Sequence, residues 1–263
     1  MLVDFEKYHG SGNDFILIDN RSGNFLISRH LISQLCHPHY GIGADGLMLI
    51  EEGKDCDFEM KYFNSDGRIG SMCGNGGRCA VKFAEKCAIV SRKEQSIKFM
   101  AYDGMHEGIM IADNIIKISM LPVNSIEKKE GVYILNSGSP HYVKFVDDVA
   151  FIDVVIEGRK IRNSESFQNA GINVNFVSVK NDTIYIRTYE RGVEDETLSC
   201  GTGTVAAALA FGVRQNKMRL QQYEIHTPGG VLKVCFNRIS EHSFDNVWLE
   251  GPVSFVFKGC IEI

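Results

Sequence analysis

A repeated helix entrance constrains this chain more than any other feature. Ser71-Met72-Cys73-Gly74-Asn75-Gly76-Gly77-Arg78 resembles Leu198-Ser199-Cys200-Gly201-Thr202-Gly203-Thr204-Val205. Each segment follows a strand-like run ending in an aromatic residue and a polar turn, Tyr62-Phe63-Asn64 in one case and Tyr189-Glu190-Arg191-Gly192 in the other. Further upstream, Gly10-Ser11-Gly12-Asn13-Asp14-Phe15 and Ser137-Gly138-Ser139-Pro140-His141-Tyr142 occupy comparable places. The two cysteines lie about half a chain length apart, far too long a period for a solenoid, so the repeat reads as one duplication giving two similar domains.

The runs Phe15–Ile18, Gly46–Ile50, Phe58–Phe63, Ile97–Phe99, Ile115–Ile118, Val174–Val179 and Thr183–Tyr189 alternate or form short β-branched stretches bounded by Gly, Asn, Asp or Pro, and read as strands. Turn signals such as Ser65-Asp66-Gly67 and Thr227-Pro228-Gly229-Gly230 separate several of them, which favours antiparallel sheet over a doubly wound parallel fold. Two helices stand out. One follows Cys73 with a stripe at Ala80, Phe83, Ala84 and Cys87; the other runs Thr204–Phe211 and is apolar nearly all round, so protein must enclose it. A curled antiparallel sheet wrapped on a central helix satisfies both. The predicted class is α+β, with two pseudo-symmetric domains and a linker near Leu121-Pro122-Val123-Asn124. The first domain spans 1–122 and carries Cys73; the second spans 123–252 and carries Cys200; a final strand at about 253–263 returns to the first.

A net charge of −5 argues against nucleic acid as a partner, since phosphate binding needs a basic surface. Short basic clusters such as Ser91-Arg92-Lys93 read as solvated faces. No basic region followed by an apolar run opens the chain, and the longest apolar stretch, Val205–Phe211, is far below the roughly 20 residues of a membrane span. A cytoplasmic protein with no membrane partner is expected. The eight cysteines form no CxxC pair, and His37-Pro38-His39 has no cysteine at ligand spacing, so neither a metal site nor a disulfide framework is expected. Most of these cysteines read as small buried hydrophobes.

A cysteine placed before Gly-x-Gly at a helix start meets backbone N–H groups that have no intrahelical acceptor, and the helix dipole there favours thiolate. The glycines let a ligand approach, and the N–H groups can hold a carboxylate. One such site alone is equally a nucleophile, a redox thiol or a buried cysteine at a tight cap. Two in duplicated positions imply more. If the domains face each other across a pseudo-twofold axis, the thiols flank one cleft, where one takes a proton from carbon and the other delivers one to the opposite face. The carbanion is then held by hydrogen bonds to the substrate carboxylate and by exclusion of water, with no cofactor. A cysteine hydrolase is the rival from another class, and needs one cysteine with a nearby His base.

These motifs, in this order, resemble the diaminopimelate epimerases. The resemblance rests on His9–Phe15, Gly41–Asp45, Phe63–Gly67, Met72–Arg78, Gly138–His141, Asn173, Tyr189–Gly192 and Glu196–Gly203. It implies a pair of domains, each a sheet wrapped on a central helix. The implied reaction is cofactor-independent interconversion of LL- and meso-diaminopimelate in bacterial lysine and peptidoglycan precursor biosynthesis. The resemblance also makes Cys73 the proton donor and Cys200 the acceptor. Gly74 with Asn75, and Gly201 with Thr202, would contact the reacting α-carboxylate. Glu190 and His141 would lie near the reacting amino group and help set the ionisation of the cysteines. Asn13, Asn64, Asn173 and Arg191 would hold the rest of the substrate, and a homodimer is implied.

Without the family, Asn13, Asn64 and Asn173 read as turn residues, Glu190-Arg191 as a surface ion pair, and His141 as a loop histidine. Two positions depart from the commoner family pattern: Ser139 stands where many relatives carry Asn, and Gly46 where many carry Gln. The nearest alternative is another two-cysteine enzyme of this superfold, a proline or hydroxyproline racemase. The Asn13, Asn64, Asn173 and Arg191 set argues against it, because small imino acids have no distal end to grip.

Overall fold

The computed structural model describes residues 1–91 and 96–263; Arg92 and Lys93 of the basic cluster lie outside the described residues. The chain divides into two compact units. Unit 1 comprises Met1–Ile118 and Gly251–Ile263, and unit 2 comprises Ser119–Glu250.

Unit 1 opens with strands β1 (Leu2–Gly10) and β2 (Asn13–Asp19), helix α1 (Arg29–Cys36), and strands β3 (Gly46–Glu52) and β4 (Phe58–Asn64). Helix α2 (Gly74–Lys86) and strands β5 (Ile97–Ala101), β6 (Gly104–Ala112) and β7 (Ile115–Met120) follow. Unit 2 repeats the plan with β8 (Ile126–Lys129), β9 (Val132–Asn136), β10 (Pro140–Phe145), α3 (Val154–Arg162), β11 (Asn173–Lys180) and β12 (Thr183–Glu190). It continues with the short β13 (Asp195–Thr197), helix α4 (Gly201–Arg214), and β14 (Arg219–Thr227), β15 (Gly230–Arg238) and β16 (Phe244–Pro252). The last strand, β17 (Ser254–Glu262), pairs antiparallel with β1.

Strand pairing repeats between the units. In unit 1, β1–β2 is antiparallel, β2–β3 parallel, β3–β4 antiparallel, β4–β5 parallel, and β5–β6 and β6–β7 antiparallel. In unit 2, β9–β10, β10–β11, β11–β12, β12–β14, β14–β15 and β15–β16 follow the same order of senses. The sheets are thus mostly antiparallel, with a parallel pairing wherever a helix separates the two strands. A crossover of that length brings the chain back in the same direction.

Each unit has a helix on either side of its sheet. Helix α2 packs on β1, β2, β3, β4 and β6, and α4 on β9, β10, β11, β12, β14 and β15. All residues of α4 from Gly201 to Gly212 are buried, as its apolar circumference requires. The opposite faces are covered by the two shorter helices. Ile32, Leu35 and Cys36 of α1 join Ile16, Ile18, Leu47 and Leu49, while Val154 of α3 joins Val174, Phe176 and Tyr189. Both are capped at the N-terminus by a side chain, Ser28 for α1 and Asp153 for α3.

The expectation for the remaining cysteines holds in part. Cys36 and Cys79 are buried, and desolvation pushes both thiols up, that of Cys36 to about 12. Cys56, Cys87 and Cys235 are half-buried, and Cys260 is exposed on β17. Among the described residues no helix is long and apolar enough to cross a membrane.

Candidate active site

Cys73 is the N-cap of α2, with extended backbone (φ −111°), and its sulfur accepts a hydrogen bond from the Gly76 N–H at 3.3 Å. On its other side the thiol meets Asn13 Oδ1 at 3.6 Å, which only the S–H form can do as a donor. The Asn13 amide cannot turn round, because its Nδ2 donates to the Asp45 carboxylate at 2.7 Å. Asp45 also accepts from the Asp14 N–H at 3.1 Å, and Lys7 pairs with Asp14 at 2.7 Å. Asn75, in the first turn of α2, donates to the same Asn13 oxygen at 3.3 Å.

Arg78 lies beneath this cluster, fully buried, donating to Asn75 Oδ1 at 2.9 Å and to the Gly74 carbonyl at 3.2 Å. Burial lowers its pKa to about 10, opposed by the sulfurs of Cys79 and Cys73, so near neutral pH it remains a cation beside the helix start. A buried cation and a helix N-terminus both favour the ionised form of a sulfur placed there. Sequence reasoning saw Arg78 only as the end of a motif, and did not find Asp45 as the anchor of Asn13. Asn64 ends β4, exposed, with its carbonyl accepting from the Gly67 N–H at 2.8 Å across a tight turn. Its cross-strand partner is Gly46, which in turn lies beside Phe15 on β2.

Cys200 holds the same place on α4 with nearly the same backbone (φ −114°), but the sulfur makes no cap bond to the helix. Its side-chain neighbour is instead the Thr202 hydroxyl at 3.5 Å. Thr202 Oγ1 lies 2.9 Å from His141 Nε2, and His141 Nδ1 lies 3.1 Å from the side-chain amide of Asn175. His141 is fully buried, and desolvation, reinforced by the Arg191 charge, pushes its pKa down to about 3. The imidazole is therefore neutral at any physiological pH. Asn175 was missed by sequence reasoning, although a polar residue inside the apolar run Val174–Val177 was the signal available.

Asn173, two residues before it on β11 and on the same face, organises the rest of unit 2's site. Its Oδ1 accepts from the Arg191 backbone N–H at 2.8 Å, and its Nδ2 donates to Ser139 Oγ at 3.0 Å and to the Pro140 carbonyl at 3.2 Å. The Arg191 guanidinium donates to the same Ser139 hydroxyl oxygen at 3.4 Å and to the Ala170 carbonyl at 3.0 Å. Glu190 accepts from the Thr197 hydroxyl at 2.9 Å. Unit 1 thus gathers Cys73, Gly74, Asn75 and Asn13. Unit 2 gathers Cys200, Gly201, Thr202 and His141 at the helix start, and Asn173 and Arg191 around Ser139.

Gly46 has a steric explanation. A Cβ built there would lie 2.5 Å from both the Tyr62 ring and the Phe63 carbonyl, and one at Gly70 would lie 2.3 Å from the same ring. The Tyr62 ring fills the space that side chains at those positions would need, and packs edge-on against Phe15 at 5.9 Å.

The sequence model of the diaminopimelate epimerase family matches residues 5–105 and 133–256. A diaminopimelate epimerase of Flavobacterium psychrophilum is 47% identical over 258 residues, covering 97% of this chain and 98% of the relative. One of Chlorobaculum tepidum is 40% identical over 263 residues, covering 97% and 99%. The chain belongs to the diaminopimelate epimerase family. It is an isomerase, an epimerase acting on a small molecule, as the sequence resemblance implied. Solved structures share its fold at low identity. A hydroxyproline epimerase from Agrobacterium vitis superposes with TM-score 0.77 at 12% identity over 99% of this chain and 92% of its own. A phenazine biosynthesis protein of the PhzF family from Bacillus anthracis does so with TM-score 0.75 at 11% over 100% of both. For this epimerase the α+β class, with curled, mostly antiparallel sheets on central helices, is established.

Proposed function

We propose that the chain interconverts LL- and meso-2,6-diaminopimelate by two-base proton transfer at one α-carbon. Cys200 acts as thiolate base and Cys73 as thiol acid in the forward direction, with the two sulfurs on opposite faces of that carbon. The observation that carries the reading is the contrast between the duplicated sulfurs. Cys73 faces Asn13 Oδ1, an acceptor, whereas Cys200 faces the Thr202 hydroxyl, a group able to donate. At Cys73 the Asn13 oxygen favours S–H, against the Gly76 N–H and the buried Arg78 cation that favour thiolate; at Cys200 the Thr202 hydroxyl can donate to an ionised sulfur.

The reacting α-carboxylate is held by N–H groups at the two helix starts, from Gly74 and Asn75 and from Gly201 and Thr202, and these stabilise charge that develops as the proton leaves. Glu190 receives the reacting amino group, while Asn13 and Asn64 line one end. At the other end Asn173 and Arg191 hold the distal carboxylate through charge-assisted bonds. Ser139 takes part there: its oxygen accepts from Asn173 and Arg191, which leaves its proton for the ligand. The enzyme works in lysine and peptidoglycan precursor biosynthesis, as a homodimer, without a cofactor, in the cytoplasm, where reducing conditions keep both thiols ready.

Incubation in D2O tests the assignment. Deuterium at the α-carbon of LL- or meso-diaminopimelate, and none in proline or hydroxyproline, is expected. Exchange with an imino acid and with neither diaminopimelate isomer would assign the alternative racemase reading instead.

A further inference from the structure

We propose that Asn175 is a positioning residue that fixes which ring nitrogen of His141 carries the proton, and through Thr202 aims a hydroxyl proton at the Cys200 sulfur. The proposal deepens the reading of Cys200 as the base and rests on it.

The Asn175 amide has one permitted orientation. Its Oδ1 accepts from the Thr188 hydroxyl at 3.0 Å, and its Nδ2 donates to the Tyr142 carbonyl at 3.0 Å. Turning the amide over would set its N–H against the Thr188 hydroxyl and its oxygen against a carbonyl. The second Nδ2 proton therefore points at His141 Nδ1, 3.1 Å away, and Nδ1 must accept. A neutral imidazole whose Nδ1 accepts carries its proton on Nε2. That proton is donated to Thr202 Oγ1 at 2.9 Å, which leaves the Thr202 hydroxyl proton available to an ionised Cys200 sulfur 3.5 Å away. The order from Asn175 through His141 to Thr202 is fixed by these bonds, and the proposal is that the Thr202 hydroxyl carries it on to the sulfur.

The helix start is built round this amide. A Cβ at Gly203 would lie 2.5 Å from Asn175 Oδ1, so glycine there leaves room for it. Asn175 is itself fully buried, where a polar side chain in a strand is costly unless its bonds are made. Few groups around the imidazole titrate. The residues facing it from β9 and β11 are Leu135, Asn173 and Asn175, and β12 contributes Thr188 and, at its end, Glu190. Helix α4 contributes Thr202 and its N-cap Cys200, and the turn after β12 contributes the Arg191 cation, which disfavours a charged imidazole.

Nitrogen-15 spectra of histidine-labelled enzyme read the tautomer directly, whatever substrate the enzyme turns over. The wild type is expected to show His141 protonated on Nε2 alone near neutral pH. Protonation on Nδ1, or on both nitrogens, would overturn the proposal. Asn175→Leu keeps the bulk and removes the donor. That variant is expected to lose the exclusive Nε2–H form, and the acidic limb of kcat/KM should move up by about one pH unit, because the sulfur loses its donor. A variant with unchanged tautomer and an unmoved limb would also overturn the role. If Asn175→Leu does not fold, the wild-type spectrum still decides. Wild-type enzyme that fails to epimerise diaminopimelate yet shows Nε2–H at His141 would count against the substrate reading and leave the tautomer assignment standing.

Discussion

The Cys73 sulfur and Asn13 Oδ1 are 3.6 Å apart, and the oxygen cannot be exchanged for the amide nitrogen because Asp45 holds that nitrogen at 2.7 Å. An acceptor locked there takes a hydrogen bond only from the S–H form of the thiol. Cys200, at the matching point of the duplicated unit, has a hydroxyl there instead. The two halves share a backbone plan and differ in this neighbour, and in the Gly76 N–H that only the Cys73 sulfur accepts.

Asn13→Asp should therefore change the acid and not only weaken it. A carboxylate beside the sulfur disfavours thiolate and raises the Cys73 pKa. Activity that needs Cys73 protonated then persists to higher pH, and the basic limb of kcat/KM should move up by about one unit or more. An unmoved basic limb in a folded variant would show that Asn13 does not govern this thiol.

Gly76 is expected to tolerate little. A Cβ there would lie 1.8 Å from the terminal methyl of Met48, the flexible end of a buried side chain. Gly76→Ala should cost about 1–3 kcal/mol in unfolding free energy through overpacking. Met48→Ala on its own opens a cavity at a cost of roughly 2–5 kcal/mol. The double variant should lose less than the sum of the two, since the new methyl enters the space vacated. Strict additivity by denaturant titration would mean that Met48 does not limit the helix start.

Much of this was legible in the chain. The seven alternating or β-branched runs are strands, because one face of each packs on a central helix. The two helices after the cysteines are the buried pair. The outer helices α1 and α3 were not legible. They are 8 and 9 residues long, short enough that burial against the sheet and a capping Ser28 or Asp153 sustain them rather than a long apolar stripe. Nor were the parallel pairings, since the register of strands separated by a helix is set in three dimensions. In the site, the family motifs located Asn173 but not Asn175. The run Asn173-Val174-Asn175-Phe176-Val177 reads as an ordinary strand until alternation puts both amides on the face that meets α4. The reason for Gly46 lay sixteen positions away, in a ring on the neighbouring strand.

His141 carries a pH signature. Its pKa is pushed from 6.5 to about 3 by burial, so the folded state refuses a proton that the unfolded chain accepts. The stability this site contributes is fully present above about pH 6.5 and declines as pH falls toward 3, by about 1.4 kcal/mol per unit within that window. His141→Gln lacks the titration. The gap in unfolding free energy between wild type and variant should therefore narrow steadily as the solution is acidified. Parallel curves across this range would mean that the buried imidazole is not held neutral.

Early isotope partitioning in D2O shows whether two groups on two faces move the proton. Starting from pure LL-diaminopimelate and stopping at a few per cent conversion, deuterium is expected at the inverted carbon of the meso product. The recovered LL substrate should be nearly unlabelled, because the base that takes the substrate proton is not the acid that supplies the new one. Equal labelling of substrate and product from the first turnovers, or product that retains the original hydrogen, would contradict it.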